Sequence, residues 1–446
     1  MHGSDDPAVR KLIIQLVRYR HRRGEFEASR DLAAEAVAGW RPVLGEHAEE
    51  LNTLNMHLAN ALRSNGERDA AREIDEQILN YARTQLGPNH RTTVWAANGL
   101  AADLRQLGDW RGACELDQDS LQRCRRTFGA DDAHTVRAAH NYAVSLRMMG
   151  DFQAALELDQ DTALRRRRSQ GDTRQPTMLS INNVARDLRE CGRYAESVEM
   201  QENTYAVYRR VYGDHHPDTL RALKNLAVSV RKAGDYARST TLARQSLDLH
   251  RRNFGPYHPE ALAAVTNLSN DLCMIGDEVE ARARAEHAHA RFRQVLGEHH
   301  PYTLCGANNL TIALRLNGDP GARELGEATW ATFREVLGED HPHTLATAAN
   351  LASSLHAADD APGARHLDED VLQRFRRVRG TDHPCALACA SNLAMDLRTL
   401  GERVEARSLE LDTLDRYAQV LGPDHPETVA ATARARLDFD TEPPPM

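Results

Sequence analysis

Residues 217–236 read PDTLRALKNLAVSVRKAGDY. Leu220, Leu223, Leu226, Ala227 and Val230 recur at three- and four-residue steps, which sets them on one face of a helix. Pro217 stands where the first helical turn tolerates a missing N–H. Gly234 closes the segment, because a left-handed residue without a Cβ ends a helix at no steric cost. A second helix restarts at once after Gly-Asp-Tyr, 234–236. The stretch is therefore one helix, a tight turn and the opening of the next helix.

The pattern extends over the chain. Glycines stand at 24, 45, 66, 87, 108, 129, 150, 171, 192, 213, 234, 255, 276, 297 and 318, always 21 residues apart. After a one-residue deletion the series continues at Gly338, skips Asp359 and resumes at Gly380, Gly401 and Gly422, taking 19 of the 27 glycines. The repeating unit is helix, turn, helix, turn, with a period of 42 residues. Strand-like alternation is not expected anywhere. Two turns alternate. The tight one carries an aromatic two residues on (Gly24/Phe26, Gly108/Trp110, Gly150/Phe152, Gly192/Tyr194, Gly234/Tyr236). The longer one ends in His-Pro, at 216–217, 258–259, 300–301, 341–342, 383–384 and 425–426. Tight turns near 24, 66, 108, 150, 192, 234, 276, 318, 359 and 401 predict ten helical hairpins. A capping helix is expected over about 425–438, followed by a flexible tail, 439–446. The expected fold is all-α, an α-solenoid forming one elongated domain over 1–438, since stacked repeats need contact only their neighbours.

Composition narrows the function. The chain has 446 residues and a formal net charge of −9, which argues against general nucleic-acid or anionic-membrane binding. No run approaches 18 apolar residues, and the N-terminus MHGSDD has no apolar stretch of a secretory signal. Only three of the 56 basic residues are lysine (Lys11, Lys224, Lys232), which suggests a high-GC bacterial genome. Seven scattered cysteines without a CxxC pair fit buried thiols in a reducing cytoplasm, the expected location.

Gly-Asp-aromatic with a small residue near five positions on (Ala113, Ala155), preceded by Asn-Leu-Ala, resembles the tetratricopeptide repeat. The 42-residue period and His-Pro starts resemble its long, kinesin-light-chain variety. The resemblance covers roughly residues 6–438. It implies a right-handed superhelix in which the first helix of each hairpin lines a concave, peptide-binding surface. Blocks such as 392–398 (Asn-Leu-Ala-Met-Asp-Leu-Arg) and 115–119 (Glu-Leu-Asp-Gln-Asp) also look like the C-terminal arrays of actinobacterial regulators of the NB-ARC and FxSxx-COOH type. Here the chain departs from the pattern, having no GxxxxGK[ST] phosphate loop.

Two ladders fall on the first helices. Asparagine recurs at Asn141, Asn183, Asn225, Asn267, Asn309, Asn350 and Asn392, with Asn98 one residue out of register. Arginine recurs at Arg63, Arg105, Arg147, Arg189, Arg231, Arg315 and Arg398, interrupted at Cys273 and His356. Six residues separate the two ladders in each repeat, so they project about 120° apart and flank the inner face. An asparagine amide both donates and accepts, and so suits a bound backbone whatever its side chains. An arginine fork suits carboxylates or phosphates. By resemblance, such asparagines hold a ligand's backbone or terminal carboxylate. The alternative is structural: arginines pairing with Asp103, Asp187 and Asp396, or with the Glu-Leu-Asp segments, as struts between repeats, and asparagines tying one repeat to the next. Between the ladders Lys224 and Asn270 mark slots that vary among the central repeats, 140–316, which predicts a polar, basic groove there.

No catalytic motif is legible, and the once-per-repeat His-Pro histidines lie too far apart to share a metal. The expectation is a non-enzymatic protein- or peptide-binding scaffold without cofactor or metal, whose partner is an acidic or C-terminal peptide segment rather than nucleic acid or membrane. A ligand-sensing array of an NB-ARC switch protein is the alternative.

Overall fold

The computed structural model describes residues 6–443, and every regular element among them is helical. Twenty-one α-helices follow one another: α1 (Pro7–Arg22), α2 (Phe26–Leu44), α3 (Glu49–Ser64), α4 (Arg68–Gln85), α5 (Arg91–Leu107), α6 (Trp110–Phe128), α7 (Ala133–Met148), α8 (Phe152–Gln170), α9 (Gln175–Glu190), α10 (Tyr194–Tyr212) and α11 (Pro217–Lys232). They continue as α12 (Tyr236–Phe254), α13 (Pro259–Met274), α14 (Glu278–Leu296), α15 (Pro301–Leu316), α16 (Gly321–Leu337), α17 (Pro342–Ala357), α18 (Ala361–Arg379), α19 (Pro384–Thr399), α20 (Arg403–Val420) and α21 (Pro426–Thr432). By packing, the described residues fall into two compact units that meet inside α9, the first ending at Ser180 and the second beginning at Ile181.

The turn chemistry is local. All nineteen glycines of the 21-residue series have positive φ, and Asp359, which replaces the missing one, takes φ 62° in the same role. The His-Pro histidines are N-caps. At 216, 258, 300, 341, 383 and 425 the imidazole Nδ1 accepts the N–H two residues on. This satisfies an otherwise orphaned donor of the first turn.

In the second unit the first helices are buried on nearly every side. In α13 every residue from Pro259 to Leu272 is buried. One side packs on second helices such as α12 and α14, through Leu247, Leu268, Leu272 and Ala281. The unit also bends back on itself. His383 Nε2 donates to the carbonyl of Glu190 at 2.9 Å, and His425 Nε2 to that of Lys232 at 3.1 Å. Glycine is required at these meetings. A Cβ on Gly192 or Gly234 would stand 2.7 or 2.5 Å from the Cδ of Pro384 or Pro426.

The C-terminus departs from expectation. The last helix ends at Thr432 rather than near 438. Arg434 adopts φ 58°, and the Ala435 N–H turns back to the carbonyl of Ala430 at 2.9 Å, a helix-ending motif. From there the chain is extended, and it is neither frayed nor exposed: Leu437, Phe439 and Thr441 are buried. Residues 444–446 of the expected tail lie outside the described residues.

Candidate functional site

Leu437 to Glu442 run along the first helices of the second unit, held in a two-residue rhythm. Asn392 Nδ2 donates to the Leu437 carbonyl and Asn392 Oδ1 accepts the Leu437 N–H, both at 2.9 Å. Asn350 does the same to Phe439, at 2.8 and 2.9 Å. Asn309 does the same to Thr441, at 2.8 and 2.9 Å. Three successive rungs of the asparagine ladder thus clasp every second residue of one extended strand. The geometry follows from side-chain chemistry: a planar amide offers one donor and one acceptor, matching the N–H and C=O that a residue of an extended chain presents to one side. Asn308, one residue before the ladder, adds bonds to the Phe439 carbonyl (3.0 Å) and the Thr441 hydroxyl (3.1 Å), and its own oxygen accepts from Asn350 at 2.9 Å.

The odd-numbered side chains enter apolar ground. Phe439 stacks on Phe375, with centroids 5.9 Å apart and planes at 14°. Leu437 and Phe439 belong to the same core cluster as Leu345, Leu372, Leu393 and Tyr417. Burying a side chain of this size contributes about 1.5–3 kcal/mol. The even-numbered side chains are charged and meet the arginine ladder. Asp438 receives Arg315 at 2.6 Å, Asp440 receives Arg231 at 2.6 Å, and Glu442 pairs with Arg189. Lys232 also pairs with Asp440, and Asn270 Nδ2 lies 3.4 Å from it. Burial works to raise the Asp440 carboxyl, but Lys232 and Arg231 outweigh it and hold its pKa below the usual carboxylate range.

The ladder arginines divide by their neighbours. In the first unit they are struts: Arg63 bridges Asp75 (2.7 Å) and Asp103 (2.6 Å), Arg105 pairs with Asp117 and Ser145, and Arg147 with Asp159 (2.6 Å). The partner stands 12 or 40 residues on. At those offsets Arg189 finds Gln201 and Ser229, which carry no charge, and its second carboxylate comes from Glu442. Arg231 has Ala243 and Asp271, the latter 3.4 Å away, and gains Asp440. The converse holds at His356, where the ladder lacks an arginine yet both acids persist, as Asp368 and Asp396. Arg436 of the tail fills that place, 2.6 Å from Asp368 and 2.5 Å from Asp396. The strand therefore supplies charges where the repeats leave them unmatched.

The remaining predicted residues are distributed otherwise. Arg105 and Arg147 are engaged in the struts above. Lys224 is buried against Glu260 at 2.6 Å and does not reach the strand. Asn225 donates to Asn182 Oδ1 at 3.3 Å, a tie between neighbouring repeats. Asn267, the next rung after Asn309, is buried with neither amide atom hydrogen-bonded among the described residues. The register would bring Pro443 to it, and proline has no N–H to give. Asn183 is buried and Asn141 half-buried, and neither meets the strand. Asn308 falls in the same variable slot as Lys224, 84 residues on; sequence reasoning missed Lys232 and the strand itself. The signal was present: Leu-Asp-Phe-Asp-Thr-Glu, 437–442, alternates with period two at the end of an otherwise helical chain.

Tetratricopeptide-repeat family matches cover residues 49–113, 92–168, 176–252, 225–294 and 344–419, with a second repeat type over 307–343. The chain belongs to the tetratricopeptide repeat family. Among solved structures, it is similar to a putative kinesin light chain of Podosopora anserina with nearly identical TPR-like repeats, at 26% identity over 45% of this chain and 96% of that one, with a TM-score of 0.37. It is also similar to a Rap protein complexed with Competence and Sporulation Factor, at 10% identity over 93% of this chain and 100% of that one, with a TM-score of 0.56. BtubC from P. vanneervenii aligns at 16% identity over 52% of this chain and 94% of that one, with a TM-score of 0.39. No curated protein matches. These likenesses concern the repeat, and none bears on a relation to NB-ARC regulators. Among the described residues no helix is long and apolar enough to cross a membrane.

Proposed function

We propose that this protein is a non-enzymatic interaction scaffold whose second unit binds an extended acidic peptide segment on its inner face. One observation carries the reading: Asn309, Asn350 and Asn392 clasp the backbone of every second residue of a strand whose alternate residues are Asp438, Asp440 and Glu442. Backbone bonds from the asparagines give affinity independent of sequence, while Arg189, Arg231 and Arg315 select acids and the ground around Phe375 selects an apolar residue. A partner's segment of that pattern competes with residues 437–442 for the same rungs. Being tethered, those residues act at high effective concentration, so an external segment gains by reaching further, to Asn267.

The test is a fluorescent peptide of residues 434–443 (RARLDFDTEP), titrated into wild type and into Phe439→Ala, in which the protein's own strand is weakened. Binding to the variant tighter than to wild type, lost when both peptide aspartates become asparagine, is the expected result. Equal binding to Phe439→Ala and to a variant also carrying Asn350→Ala and Asn392→Ala overturns the reading.

A further inference from the structure

The first unit holds a different cluster. Arg18, His21 and Arg22 of α1, His57 and Asn60 of α3, Trp95 of α5 and Arg137 of α7 line a cavity of about 210 Å³. The Arg137 guanidinium lies 5.4 Å from the centre of the Trp95 ring, and its Nη2 is 3.2 Å from His134 Nδ1. Its Nε is buried without a hydrogen-bond partner among the described residues. Among the described residues the Arg18 guanidinium donates to Gln15, at 3.4 Å, and meets no carboxylate. This contrasts with Arg63, Arg105 and Arg147 of the same unit, each closed by a buried carboxylate.

The sequence changes register-wise at the same place. Trp95 and Arg137 occupy one slot in successive repeats, 42 residues apart. His57 stands in the asparagine-ladder slot, 84 residues before Asn141, and His21 in the arginine-ladder slot, 42 before Arg63. The electrostatics agree. Burial and then Arg18, His21, Arg22 and Arg137, all cationic influences, push the His57 imidazole down to about 4. Burial, and to a smaller degree Arg18, lowers Arg137 below the usual arginine value. Like charges gathered around a partly desolvated cavity destabilise the empty fold. An arrangement of this kind is relieved by a bound anion.

We infer that this cavity is an oxyanion-binding site, in which Arg18, Arg137 and His57 receive a phosphate or carboxylate group and Trp95 stacks against the planar or apolar group that bears it. The volume admits the anion with its neighbouring atoms, and Arg137, which lines the cavity, carries a buried Nε donor without an acceptor among the described residues. This site is built from residues that the strand in the second unit does not touch.

The experiment uses the full chain in a chloride buffer of constant ionic strength, titrated separately with inorganic phosphate and with acetate, read by thermal unfolding and by calorimetry. Wild type is expected to gain melting temperature with at least one anion, and the anion that acts names the group. Arg137→Gln is expected to keep or raise the melting temperature without anion, and to weaken the anion about tenfold or more, the loss of one charge-assisted bond. His57→Asn serves as a second, smaller change with the same expected direction. No gain in wild type overturns the inference, as does an undiminished response in both variants. A fall in the anion-free melting temperature of Arg137→Gln, with the anion response unchanged, assigns Arg137 a structural role and overturns it too.

Discussion

Asn350 holds Phe439 by both halves of its backbone, donating from Nδ2 to the carbonyl oxygen at 2.8 Å and accepting the N–H at Oδ1 at 2.9 Å. The two residues are 89 apart in sequence. Replacing Asn350 by Ala removes both bonds; the Phe439 carbonyl keeps its bond from Asn308, while the buried Phe439 N–H is left unpaired, at about 1–3 kcal/mol. Residues 437–442 are expected to undock while the helices persist. Hydrogen exchange at Phe439 and Thr441 should rise, with the helical circular dichroism unchanged. Protected amides at those positions in the variant count against the assignment.

The Arg315–Asp438 pair is more than nine-tenths buried on neither side, at 14% and 10% exposure, yet it is close, one Nη2 lying within hydrogen-bond distance of both carboxylate oxygens. Removing one member of such a pair strands the other charge, at about 3–5 kcal/mol, while removing both is milder. Asp438→Ala and Arg315→Ala are each expected to loosen the strand more than half as much as the double variant. The double-mutant cycle, read by proteolysis near Arg436, should give a coupling of about 0.5–3 kcal/mol. Additive effects would show that the pair adds nothing.

Asp359 takes φ 62° at the position that glycine fills in the other tight turns. Left-handed backbone costs an L-residue roughly 1–2 kcal/mol, less for aspartate than for most. Asp359→Gly is therefore expected to stabilise the turn by a few tenths to about 1 kcal/mol, and Asp359→Val to destabilise it by more. Chemical denaturation of the three proteins ranks them. A valine variant as stable as wild type contradicts the backbone argument.

His383 is neutral by design of its contacts: Nδ1 accepts from Cys385 and Nε2 donates to the Glu190 carbonyl. Burial first, with Arg379 adding to it, depresses its pKa to about 3. Between pH 6.5 and about 3 the unfolded chain binds this proton and the folded chain does not. The contribution is thus complete above pH 6.5 and is lost as pH falls through that window. His383→Asn keeps an N-cap acceptor but cannot titrate. Its stability is expected to decline less steeply on acidification, by up to about 1.4 kcal/mol per pH unit. Parallel pH profiles would assign the acid sensitivity elsewhere.

The helices and their turns were legible because their causes are local. A glycine every 21 residues, a proline after most N-capping histidines and an apolar face at helical spacing act within a few residues of themselves. The ladders were legible as periodicity, although their use was not. Within its repeat Arg147 has Asp159 twelve residues on where Arg231 has Ala243, but that difference gains its meaning only from packing, which brings Asp440 to Arg231. That distinction depends on whether an acid stands 12 or 40 residues on, which matters only once neighbouring helices are packed.

The final segment was misread for the same reason. Alanines and arginines over 430–436 have good helix propensity, and propensity extends the last helix toward 438. The tertiary structure overrides it by offering three asparagine clasps, an apolar seat beside Phe375 and unmatched charges, which together outweigh the helical bonds given up. Sequence by itself determined the repeat, the turns and which residues face inward. Only the tertiary structure decided that residues 309, 350 and 392 converge on 437–442, because that contact joins parts of the chain that local periodicity never brings together.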